Sequence, residues 1–295
     1  MLVFVTGFAS YGLQFELERG QWNLIAFTFC LSAVYLFHSH PRLRWLAYLF
    51  FTFSVQLKLY PAIFVFALVE DGSDWKNNLK RFVGLGLVNL LALFMFGLSP
   101  VLNTINYMVQ SEASHVGRPF NLSISSFIQQ ILSLRSLPHK RIILWLQANS
   151  WLPQFFLFAF FVVCFVIILR QAYKTKSKGL NPSLFLACTL GACLIPALSF
   201  DYKLSFLPAA VMLLLPVLRS LEQAGSRVFI IFLTLLFSIA YSSLLYSYAN
   251  KPDILQYNLP ALFVLLILCT LLSFAKPIPV EASSPQDPQI DPIGH

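Results

Sequence analysis

Apolar residues run along this chain in long blocks, at about 1–15, 23–37, 45–69, 82–98, 151–169, 183–200, 204–218, 228–248 and 259–274, and short polar connections separate them. Most of these blocks approach the roughly 20 residues that an α-helix needs to cross the hydrocarbon core of a bilayer. The pattern therefore predicts an all-α polytopic membrane protein. Two blocks depart from it. The first runs from Met1 to Phe15 and stops at the polar stretch 16–21, which leaves about 22 Å of helix. With no basic leader it is neither a full span nor a signal peptide, and it reads as a helix whose beginning is absent. The second, 45–69, carries Lys58 and Pro61 at its middle. Pro61 removes a backbone donor and disfavours helical geometry at Tyr60. A charge at the bilayer centre costs about 3 kcal/mol on insertion scales. One straight helix would incur both penalties at the same depth.

Connection charge separates one helix from two. Arg42 and Arg44 lie in the connection 38–44, and Lys76, Lys80 and Arg81 in the connection 70–81. A single span would put these basic connections on opposite sides. A break at Lys58–Pro61 turns the block into a hairpin of half-helices, 45–57 and 59–69, about 20 Å and 17 Å long, and keeps both connections cytoplasmic. The rest of the chain then falls into register as about 8 spans plus this hairpin. Of the 20 lysines and arginines, 12 fall on the inside, and four of the remaining eight sit in one long outer connection, 99–150. That is the usual positive-inside bias.

Composition narrows the class further. The chain has 295 residues, 58% hydrophobic and only 11% charged, with 30 phenylalanines and a mean hydropathy of +0.73. A soluble domain carries about 25% charge, so a soluble globular protein is excluded. The net charge of +8 belongs to membrane orientation rather than to nucleic-acid binding. Cys30, Cys164, Cys188, Cys193 and Cys269 all lie in apolar runs with no metal-ligand spacing, and they read as small hydrophobic residues.

Residues 1–275 read as a single transmembrane domain and 276–295 as a disordered, proline-rich cytoplasmic tail. Within the outer connection, Ile124, Phe127, Ile131 and Leu134 recur at three- and four-residue spacing, which predicts an amphipathic helix on the outer face. Asn121-Leu122-Ser123 fits a glycosylation sequon, a pattern common by chance.

Candidate chemistry lies in three polar clusters that persist beside apolar blocks: Glu16 to Asn23, Lys58 to Pro61, and Asp201 to Lys203. The topology puts all three on one side of the membrane. Arg19, Lys58 and Lys203 supply three cations, Gln21 and Asn23 amide donors, and Tyr60 and Tyr202 phenols, a set suited to an anionic headgroup such as a phosphate. Each feature has a plainer alternative. Lys58 resembles a lysine snorkelling from a helix end, Gly20 to Asn23 a capping turn, and Asp201 with Lys203 a local ion pair. Glu16 and Glu18 fit a solvated helix end better than an acid–base pair. His38 and His40 fall on the opposite side and are set aside from the candidate site.

Gly20-Gln21-Trp22-Asn23 after a short helix, then Lys58-Leu59-Tyr60-Pro61 in a broken apolar block followed by a basic connection containing Trp75, then Asp201-Tyr202, resemble glycosyltransferase family 87 over about residues 10–218. The resemblance implies a membrane glycosyltransferase with a GT-C-like bundle, similar to bacterial polyprenyl-phosphate-mannose-dependent mannosyltransferases. Its implied donor is a polyprenyl-phosphate sugar, a mannose-like hexose, and its acceptor a lipid or glycan at the outer face of the bacterial inner membrane. On this basis Arg19, Gln21, Asn23, Lys58 and Tyr60 are expected to bind the carrier phosphate. Asp201, Tyr202 and Lys203 are expected to face the acceptor or to support the first set. No cofactor or metal is implied, and the partners are membrane lipids and the two substrates. The family's catalytic carboxylate lies in an outer loop several spans before the segment matching Gln21 and Asn23. No residue here corresponds to it, so the expectation is that N-terminal spans and the base are missing from this sequence. Competing expectations are a ligase-like enzyme using the basic outer connection, a transporter or flippase, and an inactive remnant. A transporter would show repeat symmetry and polar residues at mid-membrane, and neither is visible in the sequence.

Overall fold

The computed structural model describes residues 22–99, 101–103, 106, 110, 121–133, 140–174, 179–196, 199, 201–214, 231, 235–236 and 258–274. In chain order they form α1 (Asn23–Ser39), α2 (Arg44–Leu57), a 3-10 segment (Tyr60–Ala67), α3 (Trp75–Leu93), α4 (Ile124–Ser133), α5 (Lys140–Ala148), α6 (Trp151–Lys174) and α7 (Pro182–Leu194). A 3-10 turn (Asp201–Phe206), continuing as helix to residue 214, and α8 (Asn258–Leu272) follow. Among the described residues there is no β-strand. By length and composition α6, with 24 residues, is the one described helix able to cross a membrane, and α1, α7, Lys203–Leu214 and Pro260–Leu272 are shorter apolar helices. The expected first block, the tail 276–295 and nearly all of the block 228–248 lie outside the described residues.

The block 45–69 breaks at Lys58. Its backbone there is extended (φ −154°, ψ 141°), and it separates α2 from the 3-10 segment. The two pieces double back. Arg44 at the start of α2 pairs with Glu70 beyond the 3-10 segment at 2.7 Å. His38 near the end of α1 lies 2.8 Å from the Ala67 carbonyl, and Arg81 of α3 donates to the Leu68 carbonyl at 3.1 Å. The basic connections 38–44 and 70–81 therefore share one end of the molecule. Much of the second is helical: α3 starts at Trp75, where the Asp74 carboxylate caps the helix by accepting from the Asn77 N–H at 3.3 Å. Lys76, Lys80 and Arg81 thus ride on the first turns of a helix rather than on a loop.

Hydrogen-bond demand shapes the 3-10 segment. Its i to i+3 pattern shows in Ala62 N–H donating to the Leu59 carbonyl and Leu68 N–H donating to the Val65 carbonyl, both at 3.1 Å. This leaves the carbonyls of Phe66, Ala67 and Leu68 without partners inside the segment. A side chain from a different helix serves each one: the Tyr173 hydroxyl of α6 donates to Phe66 at 3.0 Å, His38 of α1 to Ala67, and Arg81 of α3 to Leu68. A carbonyl only accepts, so His38 Nε2 carries the proton. Burial holds the His38 imidazole below its ordinary pKa, which keeps it neutral. An α-helix ending at the same residue would orphan the Val65 carbonyl as well, and each unsatisfied buried group costs about 1–3 kcal/mol. The three donors thus match the 3-10 form. The buried stripe Pro61, Phe64 and Ala67, at a spacing of three, has the same period.

Aromatic stacking fills the space around this segment. Phe206 lies between Phe27 (centroids 4.4 Å) and Tyr60 (4.8 Å), and Phe64 meets Phe185 at 5.1 Å. All five cysteines are buried and unpaired. Along α4 the buried stripe is Ile124, Ile128 and Leu132, with Phe127 packed partly against the core. Of the expected face through Ile124, Phe127, Ile131 and Leu134, Ile124 is buried as expected and Phe127 only partly, and the stripe turns toward Ile128; the Ile131 side chain and Leu134 lie outside the described set. Much of the outer surface of α3 and α6 is apolar, including Leu87, Leu91, Phe156 and Val163, all more than half exposed.

Two expected outcomes follow from this packing. A Cβ on Gly72 would fall on the backbone and Cβ of Tyr173, so Gly72→Ala should destabilise the protein by about 1–3 kcal/mol, read as a lower unfolding midpoint in detergent. The Arg44 guanidinium holds the Glu70 carboxyl below its usual range. Stability from the pair is therefore present above the ordinary carboxylate pKa and is lost as pH falls through the lowered value. Glu70→Gln should flatten that acid limb, and added salt should weaken the effect because the pair is partly exposed.

Candidate functional site

Tyr60 stands where the sequence-separated clusters meet. It opens the 3-10 segment immediately after the extended Lys58–Leu59 break, with Pro61 in the first turn. Proline's missing N–H costs nothing at a helix start. The Tyr60 hydroxyl donates to the Asn23 carbonyl at 2.6 Å, which joins the second cluster to the start of α1. The buried Lys203 ammonium lies 5.3 Å from the centre of the Tyr60 ring and donates to the Ala192 carbonyl at 3.4 Å. That brings in the third cluster. A desolvated ammonium over an aromatic face is worth about 2 kcal/mol, and the Phe206 stack holds the ring in place.

Lys58 is half-buried, and its N–H bonds back to the Ser54 carbonyl at 3.1 Å. Among the described residues its ammonium meets no hydrogen-bond or ion-pair partner. Gln56, two residues earlier, donates from Nε2 to the Asn89 carbonyl at 2.9 Å and so ties this end of α2 to α3. Arg19 and Gln21 lie outside the described residues, and so do the side chains of Asp201 and Tyr202, which open the 3-10 turn. Of the expected site residues the structure therefore brings together Asn23, Tyr60 and Lys203, with Lys58 on the adjoining break. Among the described residues no three His, Cys, Asp or Glu side chains gather closely enough to ligate a metal.

Asn121 is a participant that sequence reasoning missed. Its buried side-chain oxygen accepts from the Ser123 and Ser199 N–H groups, both at 3.1 Å, and Leu122 N–H donates to the Ser199 carbonyl at 2.5 Å. The outer connection is thereby fixed two residues before Asp201. The sequon asparagine is fully buried, which leaves no amide for glycosylation. A cleft of about 560 Å³ opens at the other end of the molecule, with Phe37, His38, Arg44, Glu70 and Tyr173 in its lining. It is remote from Tyr60.

Among the described residues the outer surfaces of α3 and α6 are largely apolar, and α6 is long and apolar enough to cross a membrane. The chain belongs to glycosyltransferase family 87, a family of membrane glycosyltransferases, whose profile matches residues 1–199. No curated protein and no solved structure matches the chain.

Removing only the Tyr60 hydroxyl, by Tyr60→Phe, should cost about 1 kcal/mol through the lost bond to Asn23. Reversible unfolding in mixed detergent would measure it, and a stability equal to wild type would dismiss the contact.

Proposed function

We propose that this chain is a GT-C-type enzyme that moves a mannose-like hexose from a polyprenyl-phosphate carrier to a lipid or glycan acceptor at the outer face of the bacterial inner membrane. The observation that carries this reading is the convergence on Tyr60 of polar groups from three separate stretches, Asn23, Lys58–Tyr60 and Lys203, at the end of the molecule away from the basic connections. In such a transfer the acceptor's hydroxyl oxygen bonds to the sugar's anomeric carbon and gives up its proton to a base, the bond from that carbon to the phosphate oxygen breaks, and charge grows on the departing lipid phosphate. Cations set beforehand in a low-dielectric site stabilise that charge without reorganisation. Lys58, whose ammonium has no partner among the described residues, takes the direct contact with the phosphate, and Arg19 joins it. Gln21, Asn23 and Tyr60 orient the headgroup. Lys203 supports the site through the Tyr60 ring, and Asp201 and Tyr202 face the acceptor. The apolar surface along α3 offers a path for the prenyl chain. No catalytic base is assigned to a residue of this chain.

Transfer of hexose from a polyprenyl-phosphate donor in membranes containing the protein tests the reading. Lys58→Ala should lower turnover by about 10²-fold or more. Turnover unchanged by that substitution would remove Lys58 from the site. Labelling of single cysteines placed at 38–44 and 70–81 from the same membrane face is the matching expectation for orientation.

A further inference from the structure

The donors that finish the 3-10 segment sit at the end of the molecule opposite Lys58 and Tyr60, in a part of the chain to which the proposed chemistry assigns nothing. They come from three helices, and each meets a backbone carbonyl of the chain around the end of the segment. Their joint effect is on length and twist. Eight residues in 3-10 geometry span roughly 16 Å, against about 12 Å as an α-helix. The far end is pinned independently by the Tyr60–Asn23 hydrogen bond and the Phe206 stack. The segment is thus held long between two sets of contacts: donors on three separate helices fix the carbonyls at the basic end where the long form places them.

We propose that His38, Arg81 and Tyr173 are positioning residues: by capping Phe66, Ala67 and Leu68 they hold Tyr60–Ala67 in its extended 3-10 form and so set the position of Lys58 and Tyr60 from the opposite end of the molecule. Once these tethers are gone, the better hydrogen-bond geometry of the α form draws the segment toward it, which shortens it and turns Tyr60 relative to Phe64. Arg81 has a second task, since its guanidinium and that of Arg44 both lie over the Phe37 ring, at 5.0 and 5.1 Å. His38 and Tyr173 are therefore the cleaner positions to change. The consequence for sugar transfer rests on the reading of Lys58 and Tyr60 given under Proposed function, whereas the change in length does not.

The test measures both. Nitroxide labels on Leu59→Cys and Val69→Cys in the full chain report the length of the segment directly, because the native thiols are buried. The double variant His38→Ala with Tyr173→Phe should bring the labels closer by about 4 Å. His38→Gln, which keeps a donor, should leave the distance as in wild type, and Tyr173→Phe alone serves if the double variant does not fold. In the transfer assay the variants that shorten the segment should lose about 10²-fold in kcat, with a smaller change in KM. An unchanged label distance in the variants lacking caps overturns the proposal whatever the activity. A shortened segment with wild-type transfer overturns the positioning role. If the wild-type chain transfers no sugar, the enzymatic reading fails while the distance measurement still decides the capping mechanism.

Discussion

A backbone carbonyl that ends a helix in an apolar interior must find a donor, and the structure is organised around meeting that demand at Phe66, Ala67 and Leu68. Pro61 and Lys58 prevent one continuous helix across 45–69, so the chain has to end a second helical piece inside the body. The donors that finish it come from α1, α3 and α6, and supplying them fixes how those three helices stand around the hairpin. At the other end the same segment begins with Tyr60, whose ring and hydroxyl collect Asn23, Phe206 and Lys203. Fold and candidate site are thus the two ends of one short segment.

The basic connections have a second role in this arrangement. Arg44 and Arg81, which the sequence pattern counts among the cations expected to set orientation, both lie over the Phe37 ring, and each is further engaged, Arg44 with Glu70 and Arg81 with the Leu68 carbonyl and Asn78. The same charges are also the parts that close the hairpin. The Arg44–Glu70 pair is partly exposed and contributes little by itself. Its position matters more, because it joins the first residue of α2 to the residue where the returning chain leaves the body.

Local chemistry was legible in the sequence and distant pairing was not. The break at Lys58–Pro61 could be read directly, since a proline and a charge within four residues leave a helix few options. The common end of 38–44 and 70–81 followed from their charge. The capping donors were hidden because their acceptors are backbone groups, with His38 and Tyr173 lying 29 and 107 residues from their partners. Nothing in a side-chain pattern marks an orphan carbonyl. The start of α3 was obscured by the charges that mark a loop, and the face expected on α4 through Ile124 and Phe127 did not include Ile128 and Leu132, which the packing buries. The polar clusters of the site stood out against the apolar chain, but that Lys203 would meet the face of Tyr60 depends on Phe206 and could be known only from the packing.

The bridge between Asn121 and Ser199 has a consequence for the order in which the molecule is completed. α1, α2 and the 3-10 segment lie close in sequence and can associate early during synthesis. Tyr60 then waits for Phe206 and Lys203, and the turn bearing them is located by an asparagine 78 residues before Ser199. The polar end of the hairpin is therefore among the last parts to be enclosed. A nascent chain arrested before residue 199 would hold a hairpin with one end finished and the other still open to its surroundings.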